Sequence, residues 1–529
     1  MDESIRALNV ARRLSYGEQL ARRARKEPNE RALRFEGVDR SVGELDERVT
    51  RLANALAARG VVKGDRVATL GYNAMEIIET YLASSRLGAI CVPINFRLVP
   101  TEISYIAENS GAKALVVDAQ MAEAAGKVRE TVTGITACLV VSDDASAAGP
   151  GAEVYETVLA EASTEPPNID VSEFDPAFIM YTSGTTGRPK GAVLSHWNLL
   201  MNTFNIISLM GMSSGETFLS GLPLFHIGGL NLISPQLLLG GTNVVLANGD
   251  FSAEKVVDML EAEEVTGCYF VPTQWQQICA VPGIKDRKFN LRRIMWGASV
   301  APPSVLKAME ETFPGVPTYN CFGQTEMSSV TCVLMGEDAI SKQGSVGKAI
   351  ANVEARLVDE DMNDVPQGEP GEIVYRGPTV MQGYWNNPEA TADAFEGGWF
   401  HSGDLVREDE DGYMFVVDRK KDMIISGGEN IYCAEVEAVI DAHPKVREVA
   451  IVGVPHEKWV ETPVAVISAT DAADPPSQEE IIAWCRERLA SYKKPSQVFL
   501  VDELPRNASG KILKFQLRES YSEQPVGQG

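Results

Sequence analysis

Apolar and polar positions follow two rhythms over most of this chain. Residues 46–59 place apolar side chains at helical spacing, 66–70 form a short apolar run, 74–87 return to the helical period and 89–94 read again as a buried strand. The runs 113–117 and 137–141 continue this βαβ pattern, which predicts an α/β protein with buried, largely parallel strands. Two further strands, 178–181 and 192–194, flank a glycine-rich segment. Residues 142–167 are rich in Ala, Gly, Ser, Pro and acid, and are expected to be an exposed excursion between subdomains. The stretch 227–249 lacks charge and, at ~20 residues, matches a bilayer span in length. Asn231, Ser234, Pro235, Gln236, Gly240, Gly241 and Asn243 interrupt it, so it is expected to be a buried helix followed by a buried strand.

After about residue 340 the texture changes to short strands and turns at 347–357, 371–376 and 412–417. From 435 onward helix and strand patterns resume: 435–442, 446–454, 462–469 and 478–489. The expected architecture is therefore α/β, with a large N-terminal α/β domain that includes a β-rich subdomain, residues 1–419. A small mobile C-terminal α+β domain, 420–529, follows a charged run at 418–422.

Composition narrows the function classes. The 529 residues carry 48 basic and 73 acidic side chains, a formal charge of −25. No basic face or Lys/Arg cluster offers itself to a phosphate backbone or an anionic membrane, so no nucleic acid is expected as partner. The eight cysteines form no C-x-x-C pair and read as small core residues of a reducing compartment. The seven basic groups of the first 26 residues are mixed with Asp2, Glu3 and Glu18, and no apolar signal core follows them. A cytoplasmic protein without a transmembrane segment is expected.

The most informative segment is Tyr181-Thr182-Ser183-Gly184-Thr185-Thr186-Gly187-Arg188-Pro189-Lys190-Gly191. Its glycines, hydroxyls and lysine suit a loop that surrounds phosphate oxygens with backbone N–H groups and a point charge. It is not a Walker A loop, since no Gly-Lys-Ser/Thr stands at the required spacing. Four more blocks follow in order: Asn320-Cys321-Phe322-Gly323-Gln324-Thr325-Glu326, Gly398-Trp399-Phe400-His401-Ser402-Gly403-Asp404, Asp418-Arg419-Lys420-Lys421-Asp422, and Pro505-Arg506-Asn507-Ala508-Ser509-Gly510-Lys511. With these five blocks the chain resembles, over nearly its whole length, the adenylate-forming superfamily of acyl-CoA synthetases, luciferases and peptide-synthetase adenylation domains.

The resemblance implies an ATP-dependent carboxylic acid:CoA ligase. A carboxylate is activated as acyl-AMP and the acyl group passes to coenzyme A, with Mg²⁺ as cofactor. It implies that Thr182, Ser183, Gly184, Thr185, Thr186, Gly187 and Lys190 hold the β and γ phosphates. Glu326 would hold Mg²⁺, and Thr185, Glu326, His226 and Lys511 are the catalytic candidates. The nucleotide would further meet Gly297, Ala298, Ser299, Asn320, Phe322, Gly323, Gln324 and Thr325. Asp404 would accept from the ribose hydroxyls, with Arg419 beside it. Lys511 would bridge acyl and phosphoryl oxygens during adenylation, which requires the small domain to close over the large one. Lys421 matches the hinge position, and Ser426, Gly427, Gly428 and Glu429 would then line the thiol channel, where paired glycines suit a slender pantetheine arm.

For the acid, His226 stands where amino-acid-adenylating relatives carry an aspartate. Gln274, Trp275, Gln276 and Gln277 occupy the region where malonate-activating relatives place an arginine. His226, Ile227, Gly228, Gly229, Tyr269, Val271 and Trp296 are the acyl-pocket candidates, with Phe322 beside them. They are mostly apolar or small and suit an acyl chain or an aryl ring. The run 422–430 is more similar to bacterial fatty-acyl-CoA synthetases than to plant coumarate ligases, so a fatty acid is expected first and an aryl or cinnamoyl-type acid second. A catalytically silent binding protein of the same fold and a luciferase-like oxygenase are the other readings, the first disfavoured by intact Lys511, Glu326 and Asp404. The expected partners are small molecules, and a homodimer is left open. Two departures stand out: Cys321 at a variable position, and Val460 where glycine is common after Trp459.

Overall fold

The computed structural model describes residues 14–142, 144–182, 189–249, 251–297, 301–426, 429–456, 459–506 and 511–522. Their contacts group the chain into two compact units, 1–354 with 375–400 and 355–374 with 401–529. The expected boundary at 419/420 lies inside the second of these.

The first unit contains two large sheets. In the eight-stranded sheet the order is Gly383–Tyr384, Lys190–Ser195, Pro176–Thr182, Ile90–Ile94, Arg66–Leu70, Ala112–Asp118, Ala137–Val141 and Glu153–Val154. It is parallel except for the ladders that Lys190–Ser195 makes with its two neighbours. The nine-stranded sheet runs Lys348–Ala349, Ser329–Met335, Thr318–Gln324, Arg293–Gly297, Gly267–Tyr269, Thr217–Ser220, Thr242–Val245, Arg31–Phe35 and Val38–Ser41. Its inner ladders, from Thr318–Gln324 to Arg31–Phe35, are parallel. Near-continuous apolar strands with helical connections form such sheets because both faces are covered.

Local chemistry sets the element ends. The helix expected from residue 46 begins at Val42, because Ser41 Oγ accepts from Glu44 N while Glu44 Oε2 accepts from Ser41 N, a capping box. Leu45, Val49, Leu52 and Leu56 form its buried stripe. The helix Met75–Leu87 ends where Gly88 turns into the left-handed region at φ 67°. Residues 227–249 are indeed a buried helix, Ile227–Leu239, and a strand, Thr242–Val245. Among the described residues no helix is long and apolar enough to cross a membrane.

The segment 142–167 departs from expectation. It contains the helix Tyr155–Glu161, whose Tyr155, Val158 and Leu159 are buried at i, i+3, i+4 spacing. Three apolar anchors suffice there because Tyr155 also donates from its hydroxyl to Glu79 Oε2 at 2.8 Å.

Two smaller sheets belong essentially to the second unit. One is four-stranded, ordered Glu354–Val358, Gly371–Arg376, Phe400–Glu408, Met414–Arg419. The other is five-stranded, with Val446–His456 and Val460–Ala469 as its long antiparallel pair. Val449 and Ile451 point into one apolar cluster with helices Cys433–Asp441 and Gln478–Arg486. Ala450, Val452 and Val454 point into another with Leu504 and Leu517. The period of two decides which face each residue covers. All eight cysteines are free, seven buried and Cys279 half-buried.

Candidate active site

Adjacent parallel strands of the nine-stranded sheet end together, and most pocket and nucleotide candidates lie at those ends. Thr217–Ser220 leads through 221–226 to the helix that starts with Ile227, Gly228 and Gly229. Gly267–Tyr269 leads to Val271 and a helix, Arg293–Gly297 ends in Trp296 and Gly297, and Thr318–Gln324 carries Asn320, Phe322, Gly323 and Gln324. Carboxyl ends of parallel strands are where α/β sheets bind ligands. Gly297 is fixed by space, since a Cβ there would come 2.3 Å from Cys321 O and 2.5 Å from the Tyr269 hydroxyl. Gly323 sits at a bulge, where a Cβ would lie 1.8 Å from Ser329 O. Gly229 is likewise pressed against Pro223 O. Trp296 and Trp275 are fully buried, and Trp275 donates from Nε1 to Met295 O at 2.9 Å as part of the core. Burial pushes the Cys321 thiol up to about 12, so it stays neutral.

The phosphate-loop stem is an antiparallel ladder in which Thr182 faces Lys190. Residues 183–188, and with them Ser183, Gly184, Thr185, Thr186 and Gly187, lie outside the described residues, as do Ala298, Ser299, Gly427 and Gly428. At this stem the two sheets meet. Glu326, in the short turn Thr325–Met327, has Oε1 3.5 Å from Thr182 Oγ1 and accepts a hydrogen bond from the Tyr384 hydroxyl at 3.0 Å. Its carbonyl accepts from Met381 N at 2.8 Å. Lys190 Nζ lies 5.2 Å from the centre of the Tyr384 ring. Burial, and then the Glu326 carboxylate, push the Tyr384 phenol up, which keeps it a donor. One half-buried carboxylate flanked by hydroxyl groups suits Mg²⁺, a hard cation that takes its remaining ligands from water and phosphate.

His226 precedes its helix at the carboxyl end of the sheet. Its ring lies 4.3 Å from Phe225, Phe225 lies 5.5 Å from Phe96, and Phe96 lies 4.3 Å from Tyr72. Tyr72 and Phe96 follow strands of the eight-stranded sheet, so the rings form a continuous run across the two sheets. The Arg97 guanidinium sits 5.0 Å from the Phe96 ring centre. Desolvation, then Arg97, pull the His226 pKa down to about 4, so its imidazole is neutral at pH 7.

In the second unit Asp404 and Arg419 are paired residues of neighbouring strands, with Arg419 Nε 2.6 Å from Asp404 Oδ1. Asp404 is buried. Lys511 belongs to the same neighbourhood. Partial loss of hydration, then Arg419 and Lys421, lower its pKa to about 8, while Asp404 and Asp422 act the other way. The Lys511 side chain is exposed, and the Arg419 and Lys421 cations disfavour its charge. Lys421 is also lowered, by desolvation first. Ser426 and Glu429 are Cα partners in the antiparallel pair of strands Ile424–Ser426 and Glu429–Ile431.

Sequence reasoning missed Tyr384, Tyr72, Phe96 and Arg97. Tyr384 stands in Gly383-Tyr384-Trp385, where a glycine before two aromatics was the only signal. The others lie in turns after strands, where period carries no information.

Comparison with known proteins accords with this geometry. Residues 20–385 match the AMP-binding enzyme family, and residues 435–511 match the AMP-binding enzyme C-terminal domain. The chain is 40% identical over 512 residues to a feruloyl-CoA synthase of Amycolatopsis sp, covering 96% of this chain and 100% of that protein. It is similar to the solved o-succinylbenzoate coenzyme A synthetase of Bacillus subtilis in complex with ATP and magnesium ion, with a TM-score of 0.83 and 33% identity over 94% of this chain and 98% of that one. A Mycobacterium tuberculosis fatty acyl CoA synthetase superposes with a TM-score of 0.78 at 32% identity, covering 96% and 98% of the two chains. Motif order, strand-end geometry and these matches together show that the chain belongs to the AMP-binding enzyme family.

Proposed function

We propose that this chain is an AMP-forming acid–thiol ligase that activates an aryl-bearing monocarboxylate, with ATP and Mg²⁺, and transfers the acyl group to coenzyme A. In the first half-reaction a carboxylate oxygen attacks the α-phosphorus of ATP and pyrophosphate leaves. In the second, the thiol sulfur attacks the acyl carbon, AMP leaves and the thiol proton is released. The protein's part is to hold anions in line and to neutralise the charge that develops.

The residues fit these groups. Thr182, Lys190 and residues 183–188 serve the phosphates, and Glu326, held by Tyr384, serves Mg²⁺. The backbone at Gly297 and the strand Thr318–Gln324 serve adenine. Asp404, an acceptor-only carboxylate, and Arg419 serve the ribose. Lys511 brings an ammonium for adenylation. We place the domain boundary at 419/420 with Lys421 as hinge, and assign the Ser426–Glu429 hairpin to the thiol half-reaction.

The observation that carries the aryl assignment is the run of rings from Tyr72 through Phe96 and Phe225 to His226. Edge-on and offset ring contacts favour a further aromatic ring over a flexible chain, by about 0.5–1.5 kcal/mol per pair beyond buried area. The 40% identity to a feruloyl-CoA synthase supports it. The fatty acid expected first from sequence remains the second reading, supported by the apolar Ile227 and Val271 and by the similarity to a fatty acyl CoA synthetase.

A competition among cinnamate, ferulate, octanoate and malonate, with ATP, Mg²⁺ and coenzyme A, tests the assignment by the thioesters formed. The aryl acids should dominate. Dominance of octanoate would select the fatty-acid reading, and dominance of malonate would overturn both.

A further inference from the structure

We infer that Glu372 is a positioning residue for ribose recognition: one buried carboxylate ties Gly403 and Lys420, the neighbours of Asp404 and Arg419, and so sets the geometry of that pair. The inference rests on the ribose reading of Asp404 given above.

Glu372 lies on the strand Gly371–Arg376, beside Phe400–Glu408, which in turn pairs with Met414–Arg419. Its side chain is 6% exposed. Oε1 accepts from Gly403 N at 3.0 Å. Oε2 accepts from Lys420 Nζ at 3.0 Å and from His401 Nδ1 at 3.1 Å. A fourth bond closes the arrangement, since Lys420 N donates to Gly403 O at 2.9 Å. Burial alone would push the Glu372 carboxyl up, yet His401, Lys420 and the Gly403 N–H together hold it below the usual range, so it is ionised at neutral pH.

Each of these contacts is one residue from the ribose pair or on its strand. Gly403 precedes Asp404 and adopts φ 73°, a left-handed turn that aims the next residue. Lys420 follows Arg419, and Arg419 is the Cα partner of Asp404. The backbone of the same turn is already held by Ser402, whose Oγ donates to Ile373 O and accepts from Asp404 N. Glu372 therefore adds something other than the existence of the turn. Its charge draws the two flanks of the Asp404–Arg419 pair to one point, limiting the freedom of a carboxylate that must meet two hydroxyl groups at once. A neutral amide at 372 would keep the Gly403 bond but lose the attraction for Lys420.

The test compares kcat/KM for ATP and 2′-deoxy-ATP, by pyrophosphate release, in the full-length protein and its Asp404→Asn, Glu372→Gln and Lys420→Met variants. Wild type should prefer ATP, and Asp404→Asn should erase the preference. Glu372→Gln should lower kcat/KM for ATP roughly tenfold, the scale of a lost hydrogen bond to a charged group. It should do so through KM and leave 2′-deoxy-ATP nearly untouched. Lys420→Met, at a surface position less exposed to folding failure, should reduce the same ratio in part. If Asp404→Asn erases the preference while Glu372→Gln and Lys420→Met keep the wild-type ratio, or lower both nucleotides equally, Glu372 is structural only and the inference is wrong. If Asp404→Asn itself keeps the preference, the ribose reading fails and takes the inference with it.

Discussion

Tyr384 and Glu326 join the two large sheets beside the strands that flank residues 183–188, hydroxyl to carboxylate at 3.0 Å. Tyr384 pairs with Ala192 on the strand Lys190–Ser195, and Glu326 lies just beyond the strand Thr318–Gln324. One hydrogen bond thus sets the candidate Mg²⁺ carboxylate against the candidate phosphate stem.

Tyr384→Phe removes that bond and little volume. A hydrogen bond to a charged group is worth about 1.5–3 kcal/mol, so the Mg²⁺ concentration for half-maximal adenylation should rise at least about tenfold, with a smaller change in maximal rate. Magnesium titration at fixed ATP measures this. An unchanged midpoint would show that Glu326 does not hold the metal.

Lys511 carries a pH signature. A lysine with its pKa lowered to about 8 is protonated, and able to meet developing negative charge, only below that pH. Wild-type kcat/KM for adenylation should therefore fall about tenfold per unit above pH 8, since this parameter reports the free enzyme. Lys511→Arg stays charged and should flatten the alkaline limb. Lys511→Ala should cost ~10² or more in adenylation while thioester formation from pre-made acyl adenylate survives.

Much of this was legible because burial writes itself into periodicity. The strands Arg66–Leu70, Ala137–Val141 and Gly371–Arg376 lie where the apolar runs place them. The helix Gln478–Arg486 stops short of the expected 489, and Leu489 packs against the same apolar cluster as Ile481 and Cys485 from beyond the helix end. The 155–161 helix was hidden because its three anchors sit in small-residue composition that reads as loop. Glu326 was visible through its motif. Its partner Tyr384 was not, because a hydrogen bond between residues 58 apart leaves no mark in either local pattern. Arg97 escaped for the same reason, as the topology that brings Phe96 beside Phe225 is set by two different sheets.

Lys421→Pro addresses the hinge. Proline fixes φ near −65°, so a residue that must change φ between half-reactions is locked. Adenylation should persist and coenzyme A thioester formation should collapse, measured separately as pyrophosphate release and as thioester. Wild-type rates in both would place the hinge elsewhere.

Val460 supplies a test that joins stability to function. It is β-branched, 74% exposed and held at φ 71°, in the left-handed region. That conformation costs an L-residue roughly 1–2 kcal/mol. It is the physical reason a glycine would suit the position. Val460→Gly relieves the cost, less up to about 1 kcal/mol of extra chain entropy, so a net gain of up to about 1 kcal/mol is expected. Val460→Ala keeps a Cβ in the same region and should gain less. Ser426 is the strand partner of Val460, at the hairpin assigned to the thiol half-reaction. Val460→Gly should accordingly shift KM for coenzyme A and leave KM for ATP alone. Thermal unfolding and separate half-reaction assays check both arms. A glycine variant that melts below both wild type and the alanine variant would show that the backbone at 460 is not strained, and a shift in KM for ATP would move this edge of the small sheet out of the thiol path.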